Sequence, residues 1–230
     1  MIKYLLIFIL FIPLVAIAGG NVRYFPKGTF ATEDDETNKI TIKSINGSVS
    51  TYSSTDDLMN DYYSELFINI DEPSLWERSQ ANKESETYRL FIEPAFSNMI
   101  CVRIDIDNSE IDSSENVAIY KKVITHDKSD EEGEIIKGRL IINKNKSLSI
   151  DDIKPLIKQL DDIKLFNMNS KDFPLTNIKT GTISTDVTTY FFEHVKNNKY
   201  QTLKIPVPNY GPIDNEMFYQ LAQYFINLAE

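Results

Sequence analysis

Short runs in which apolar and polar residues alternate recur along this chain, and this period of two is typical of strands with one buried face. Residues 40–45 alternate in this way, and Asn46-Gly47 follows them, a dipeptide that favours a two-residue hairpin turn, so residues 48–52 are predicted to form the returning strand. Residues 182–195 and 200–207 predict a second hairpin. Four further strands with short or polar connections predict an antiparallel meander, and they cover residues 87–92, 99–106, 117–124 and 134–142.

Other segments repeat their apolar residues with a helical period, and the first two of these begin with a serine. Ser54 lies three residues before Asp57 and is predicted to cap a helix that carries apolar residues as far as position 67. Ser74 and Glu77 have the same spacing and predict a second, short helix.

Two more helices are predicted in the second half of the chain. Residues 149–166 carry a nearly continuous apolar stripe, and Pro155 predicts a start near Asp151 or Asp152, because proline is tolerated in the first helical turn. The last helix is predicted to follow a cap at Asp214.

The order of these elements predicts an α+β fold, with a mostly antiparallel sheet and helices packed on one face of it. Because the chain shows no internal repeat and no low-complexity linker, residues 39–230 are predicted to form a single domain. Residues 19–38 are rich in Gly, Asn, Thr and acidic residues, and we expect a flexible lead-in with Tyr24, Phe25 and Phe30 as anchor points.

The N-terminus has the three-part layout of a cleavable export signal. Lys3 precedes an apolar run over residues 4–12, and Ala16-Ile17-Ala18 places small residues where a signal peptidase cuts. Cleavage is therefore predicted between Ala18 and Gly19, which removes residues 1–18 and sends the protein to the periplasm. We expect no membrane anchor after this signal is removed.

The charge balance narrows the choice of partner. The chain contains 34 acidic and 24 basic residues and has a net charge of -10. A surface of that sign repels nucleic acid and anionic lipid and favours a basic protein partner. Cys101 is the only cysteine and there are two histidines, so neither an intrachain disulfide nor a structural zinc site is expected, and no cofactor is predicted.

Few residues in this sequence have a spacing that suggests a catalytic or ligand-binding site. His194 shares a strand face with Asp186, but the two residues are more than 20 Å apart along a regular strand, and no orienting carboxylate for His194 is evident from the sequence. Arg89 and Arg103 lie on neighbouring predicted strands, where they either pair with Glu86, Glu93 or Asp105 or bind a carboxylate or phosphate ligand; the pattern favours structural pairing.

Several short motifs between Trp76 and the C-terminus occur together in other exported chains. They are Glu86-Thr87-Tyr88-Arg89, Val102-Arg103, Lys137-Gly138-Arg139-Leu140, Thr185-Asp186, Glu193, Tyr200 and Val207-Pro208-Asn209-Tyr210-Gly211-Pro212. With these motifs the chain resembles a group of uncharacterised exported bacterial proteins. That group commonly has a tryptophan after the aspartate and an Arg-Trp pair before the proline, which this chain lacks. The resemblance implies one exported α+β domain and no site residues.

These features favour a periplasmic binding or inhibitor protein that is not an enzyme, such as an immunity protein that neutralises a toxin delivered between bacteria. The alternatives are a periplasmic hydrolase that uses a carboxylate pair or His194, and an envelope ligand carrier. Aromatic anchors within a charged rim suit a binding hot spot. The predicted partner-binding residues lie on the first helix, with the loop 105–115 as second choice, and they are Asp56, Asp57, Asp61, Tyr62, Tyr63 and Glu65.

Overall fold

The computed structural model describes thirteen segments of the chain. They are residues 23–30, 39–43, 49–81, 86–94, 97–107, 117–125, 128–129, 135–136, 138–168, 176–177, 182–183, 187–208 and 215–230. Ala18, Gly19, the predicted turn Asn46-Gly47, Asp186 and Asp214, together with most of the loop 105–115, lie outside them.

A six-stranded antiparallel sheet forms the centre of the domain. Its strands are β3 (Glu86–Glu93), β4 (Met99–Ile106), β5 (Val117–Ile124), β8 (Leu140–Leu148), β11 (Val187–Lys196) and β12 (Lys199–Pro208). Their order is β12-β11-β3-β4-β5-β8, so the meander β3-β4-β5-β8 is extended beside β3 by the hairpin β11-β12. The predicted α+β class and mostly antiparallel sheet are confirmed.

The remaining elements are four helices, a 3-10 turn and three two-stranded pairs. The helices are α1 (Thr55–Asn69), α2 (Leu75–Gln80), α3 (Ile150–Asp162) and α4 (Asn215–Leu228), and the 3-10 turn covers Leu165–Asn167. The pairs are β1 (Ile40–Lys43) with β2 (Val49–Tyr52), β6 (Lys128–Ser129) with β7 (Ile135–Ile136), and β9 (Thr176–Asn177) with β10 (Thr182–Ile183).

Turn and cap residues set the limits of several described elements. Asn197 and Asn198 join β11 to β12 with φ angles of 49° and 60°, which asparagine tolerates better than most residues. The hydroxyl oxygens of Ser54 and Ser74 accept the backbone N–H groups of Asp57 and Glu77, each at 3.1 Å. Local side-chain chemistry therefore sets where these elements begin.

The helices cover both faces of the sheet, and the expectation of one covered face was wrong. Leu90 and Phe91 are neighbours on β3 that point to opposite faces, and both are fully buried. We call the side of Leu90 and Phe192 the α3/α4 face, because α3 and α4 pack there. The side of Phe91 and Phe191 is the α1 face, which α1 and residues 23–30 cover. Central strands that are apolar on both sides need this double cover.

Several element boundaries differ from the sequence prediction, among them those of β8 and α3. β8 continues through the polar run 143–147 to Leu148, because an exposed edge strand is held by main-chain pairing with β5 and needs no apolar alternation. α3 begins at Ile150, with the backbone N–H of Ser149 donating to the Asp152 carboxylate at 3.0 Å. Pro155 is thus the sixth helical residue, where its missing N–H leaves the Asp151 carbonyl without its helical hydrogen bond.

Candidate functional site

Asp56 holds residues 23–30 against the first helix. Its carboxylate accepts the backbone N–H groups of Gly28 at 2.9 Å and Phe30 at 2.8 Å, and it pairs with the Arg23 guanidinium at 2.7 Å. The same guanidinium reaches Asp57 at 2.7 Å. Asp56 is only 3% exposed, so its place in the predicted partner-binding surface is corrected: it is an internal clamp.

Tyr63 belongs to the core of the α1 face. Its ring is fully buried and stacks with those of Phe30 and Phe191 at centroid distances of 5.2 and 5.7 Å. Its hydroxyl donates to Glu93 at 2.7 Å, and the Tyr62 hydroxyl donates to the other oxygen of that carboxylate at 2.9 Å. Tyr63 is therefore a packing residue, and its predicted role as a partner anchor is also corrected.

The other predicted acidic residues do not form one open surface. The Asp61 carboxylate accepts the Tyr52 hydroxyl at 2.8 Å and so ties β2 to α1, while Asp57 is half-buried against Arg23. Only Glu65 is exposed. The structure thus brings these residues together mainly to fasten α1 to its own neighbours.

Lys204 lies beside the Tyr63 ring, and sequence reasoning did not single it out. Its ammonium is 5.5 Å from the centroid of Tyr63 and 5.6 Å from that of Phe30. Burial lowers the pKa of Lys204, against the opposing effect of the Glu93 carboxylate. No short-range sequence pattern predicts this contact with aromatic rings, because Lys204 lies on β12, far from Tyr63 and Phe30 in the sequence.

His194 has a carboxylate partner that its own strand does not supply. Its Nε2 atom lies 3.1 Å from Oε1 of Glu86, and the Lys196 ammonium lies 3.0 Å from Oε2. The His194 ring stacks on Tyr88 at a centroid distance of 4.3 Å, and the Phe166 ring is tilted against it at 4.9 Å. His194 is 9% exposed, so little of the imidazole meets solvent.

The Glu86 carboxylate is the electrostatic centre of this group. Burial raises its pKa, but hydrogen bonds from His194, Tyr88 and Lys196 outweigh burial and lower the pKa to about 2. Burial and the hydrogen bond to Glu86 raise the pKa of Tyr88. At neutral pH the Glu86 carboxylate is therefore ionised and accepts a hydrogen bond from the neutral phenol of Tyr88.

Acid titration should reveal the contribution of Glu86 to stability. Because its pKa falls from 4.5 to about 2 on folding, the stabilisation is present above about pH 4.5 and is lost as the pH falls through about 2. In Glu86→Gln the free energy of unfolding should fall less steeply over this range. One titrating carboxyl can contribute at most about 1.4 kcal/mol per pH unit to this slope, and solvent screening reduces the contribution.

Urea unfolding at a series of pH values measures this slope. Asp162→Asn, which removes an exposed carboxylate paired with Lys158, is the control and should keep the wild-type slope. Equal slopes in Glu86→Gln and wild type would contradict the prediction.

A row of charged side chains crosses the α1 face of the sheet. The Arg89 guanidinium is fully buried and lies 2.5 Å from the Glu193 carboxylate, which also accepts the Tyr200 hydroxyl at 2.8 Å. Arg89 further donates to the Pro73 carbonyl at 2.8 Å, and its guanidinium lies 4.2 Å from the Phe67 ring. Despite the Arg89 pair, burial raises the pKa of Glu193.

Glu72, in the connection from α1 to α2, reaches three cations of this row. Its carboxylate lies 3.6 Å from Arg89, 3.5 Å from Arg103 and 2.9 Å from Lys122. Lys122 also donates to the Ile70 and Asp71 carbonyls at 2.6 and 2.7 Å. The charged row thus fastens the α1–α2 connection to the sheet.

The predicted structural pairing of Arg89 and Arg103 is confirmed, although most partners differ from those expected. Arg103 lies 3.6 Å from Asp105, as predicted, and Arg78 of α2 contacts the same carboxylate at 3.2 Å. Glu86 and Glu93 bind histidine and tyrosine side chains instead. Sequence reasoning missed two acidic partners, Glu193 on β11 and Glu72. The sequence signal for Glu72 is an acid next to a proline between two helices.

The remaining candidates give no further site within the described segments. Cys101 is 1% exposed, and burial raises the pKa of its thiol, as expected of an inert cysteine. No group of three His, Cys, Asp or Glu side chains in these segments is arranged to hold a metal ion. No helix among the described residues is long and apolar enough to span a membrane.

Comparisons with protein-family models, with curated proteins and with solved structures found no match to this chain.

Proposed function

We propose that this protein is exported to the periplasm and acts without catalysis by binding a basic protein partner. An immunity protein that neutralises an interbacterial toxin is the specific case. The proposal rests on one observation, the uneven distribution of charge between the described fold and the segments that connect its elements.

The described residues are nearly neutral. They include 18 of the 34 acidic and 19 of the 24 basic residues, so the other segments carry 16 acidic and 5 basic residues. The negative excess of the chain therefore belongs to the connecting segments, above all to residues 31–38, 108–116 and 126–134. Such concentrated charge accelerates association with an oppositely charged protein.

The buried acids of the fold support this interpretation because they already have partners. Asp56 binds Arg23, Glu193 binds Arg89, and Glu86 binds His194 and Lys196. Charge that is satisfied within the fold contributes little to the capture of a second protein. We therefore assign the attraction to the connecting segments and not to α1.

A charge-neutralised variant tests this proposal. The protein is co-expressed with the product of the adjacent reading frame, and complex formation is measured by pull-down and by association rate at about 20 mM and about 150 mM salt. The variant replaces the acids of one connection by amides: Asp127, Asp130, Glu131, Glu132 and Glu134. Its association rate at low salt should fall about tenfold or more, with a weaker dependence on salt.

A matched control removes the same number of exposed negative charges from the helices. It replaces Asp151, Asp152, Asp161, Asp162 and Glu216 by amides, and it should associate at nearly the wild-type rate. Equal losses in both variants would refute the role of the connecting segments. Failure to retain any partner at low salt would refute the proposal as a whole.

A hydrolase is the second candidate, because Glu86 supplies the carboxylate that His194 needs as an orienting group. If His194 acts as a general base, His194→Ala should abolish hydrolysis of ester and amide substrates that the wild-type protein cleaves. The His194→Gln variant, which keeps a side chain able to bond Glu86, separates loss of chemistry from loss of structure. Wild-type protein without measurable hydrolysis excludes this candidate.

A further inference from the structure

The charged row on the α1 face does not balance. Its cations are Arg78, Arg89, Arg103 and Lys122, and the carboxylates that pair with them are Glu72, Asp105 and Glu193. Among the described residues, four positive charges thus meet three negative ones. A buried, uncompensated charge is costly, so a cluster of this kind favours one more negative charge.

Two of the cations have close partners. The Arg89 guanidinium lies 2.5 Å from Glu193, and the Lys122 ammonium lies 2.9 Å from Glu72 and bonds two backbone carbonyls. Both side chains are almost completely buried. The missing negative charge therefore belongs to the other end of the row.

Arg103 is the cation with the poorest compensation. Its Nε atom contacts Glu72 at 3.5 Å and Asp105 at 3.6 Å, so Arg103 has no carboxylate as close as those of Arg89 and Lys122. Asp105 is also shared with Arg78. Its Nη1 atom is buried and has no hydrogen-bond acceptor among the described residues. Arg103 is 6% exposed, so solvent does little to screen this charge.

The row reaches the surface beside Arg103. The side chains of Arg78 and Asp105 are 33% and 23% exposed, whereas the other end of the row at Glu193 is fully buried. The Tyr120 ring lies 4.1 Å from the Arg103 guanidinium and holds its orientation. Among the described residues, the row is thus open to solvent on the side of Arg78.

The geometry points to an oxyanion site at this corner, where Arg103 and Arg78 bind a carboxylate or phosphate group with the Tyr120 ring against the guanidinium. Guanidinium groups suit both ligands, because they donate several N–H bonds in one plane. One anion of single charge restores the balance of the row and provides an acceptor for Nη1 of Arg103.

Two variants with opposite effects test the site. Asp105→Asn raises the excess of the row to two positive charges and should tighten anion binding, whereas Arg78→Gln removes the excess and should abolish it. Lys154→Gln on α3 removes an exposed cation elsewhere and is the control. Neither site variant touches the fully buried pair Arg89 and Glu193, so both should fold.

The probes are sodium phosphate, sodium acetate and sodium chloride at equal ionic strength. Phosphate or acetate at about ten times its Kd should raise the Tm of the wild-type protein by roughly 3–6 °C over chloride. The rise should be larger in Asp105→Asn, absent in Arg78→Gln and unchanged in Lys154→Gln. The anion that gives the larger rise in Tm identifies the ligand as a phosphate or a carboxylate.

Equilibrium dialysis with labelled phosphate and labelled acetate gives the second measurement. One anion bound per wild-type chain, and none per Arg78→Gln chain, supports the site. Equal Tm shifts in all four proteins would show only a general salt effect and would overturn the inference. Absence of binding to wild type and to Asp105→Asn in dialysis would overturn it as well.

Discussion

Replacement of Glu193 by alanine should lower the free energy of unfolding by about 3–5 kcal/mol, because it leaves Arg89 charged and fully buried without its nearest carboxylate. Glu72 is then the remaining carboxylate near Arg89, at 3.6 Å and shared with two other cations. Urea unfolding followed by circular dichroism measures the loss.

The double variant Arg89→Met/Glu193→Leu provides the control for this prediction. It removes both charges and keeps apolar volume, so it should be more stable than Glu193→Ala, as replacements of buried ion pairs by packed apolar residues often are. A double variant that is as unstable as Glu193→Ala would show that packing, and not the unpaired charge, determines the cost.

Phe25→Ala should cost about 3–5 kcal/mol, although Phe25 lies near the start of the chain, outside any helix or strand. Its side chain is fully buried, with ring centroids 5.2–6.4 Å from those of Phe30, Tyr63, Phe67 and Phe191. The truncation opens a cavity between α1 and the sheet.

Tyr219→Ala on α4 is the matched control, because Tyr219 is 53% exposed and its truncation should change stability by less than about 0.5 kcal/mol. Both variants are compared by urea unfolding. A loss below about 1 kcal/mol in Phe25→Ala would mean that residues 23–30 do not dock on α1 in solution.

Local signals in the sequence were sufficient for most elements of this fold. Asn197-Asn198, Ser54 and Ser74 act on their immediate neighbours, and the predicted limits of β4 and β5 were confirmed. A turn or a helix cap depends on residues within a few positions, so it can be predicted without tertiary structure.

The side-chain pairs were harder to predict because they depend on strand register. Glu86 meets His194 across 108 positions, and Arg89 meets Glu193 across 104, since β11 returns to pair with β3. Nothing near His194 in the sequence points to Glu86. Once Glu193 is placed opposite Arg89, the same register brings His194 opposite Tyr88.

The partner-binding prediction for α1 failed at Asp56 and Tyr63 for a related reason. An amphipathic helix with acids and aromatic residues presents one face to the protein and one to solvent, but the sequence does not show that a second segment covers it. Residues 23–30 supply that cover and use Asp56 as their acceptor. The prediction that Phe25 and Phe30 act as anchor points was correct. The sequence did not show that they anchor on α1.

The position of β3 has a consequence for synthesis of the protein. β3 is flanked by β4, which follows it directly, and by β11, which the ribosome supplies about a hundred residues later. A nascent chain that ends after α3 would leave one edge of β3 with bare N–H and C=O groups, ready to pair with another chain. Premature termination there would therefore yield an aggregating product, and chaperone protection matters most during that interval.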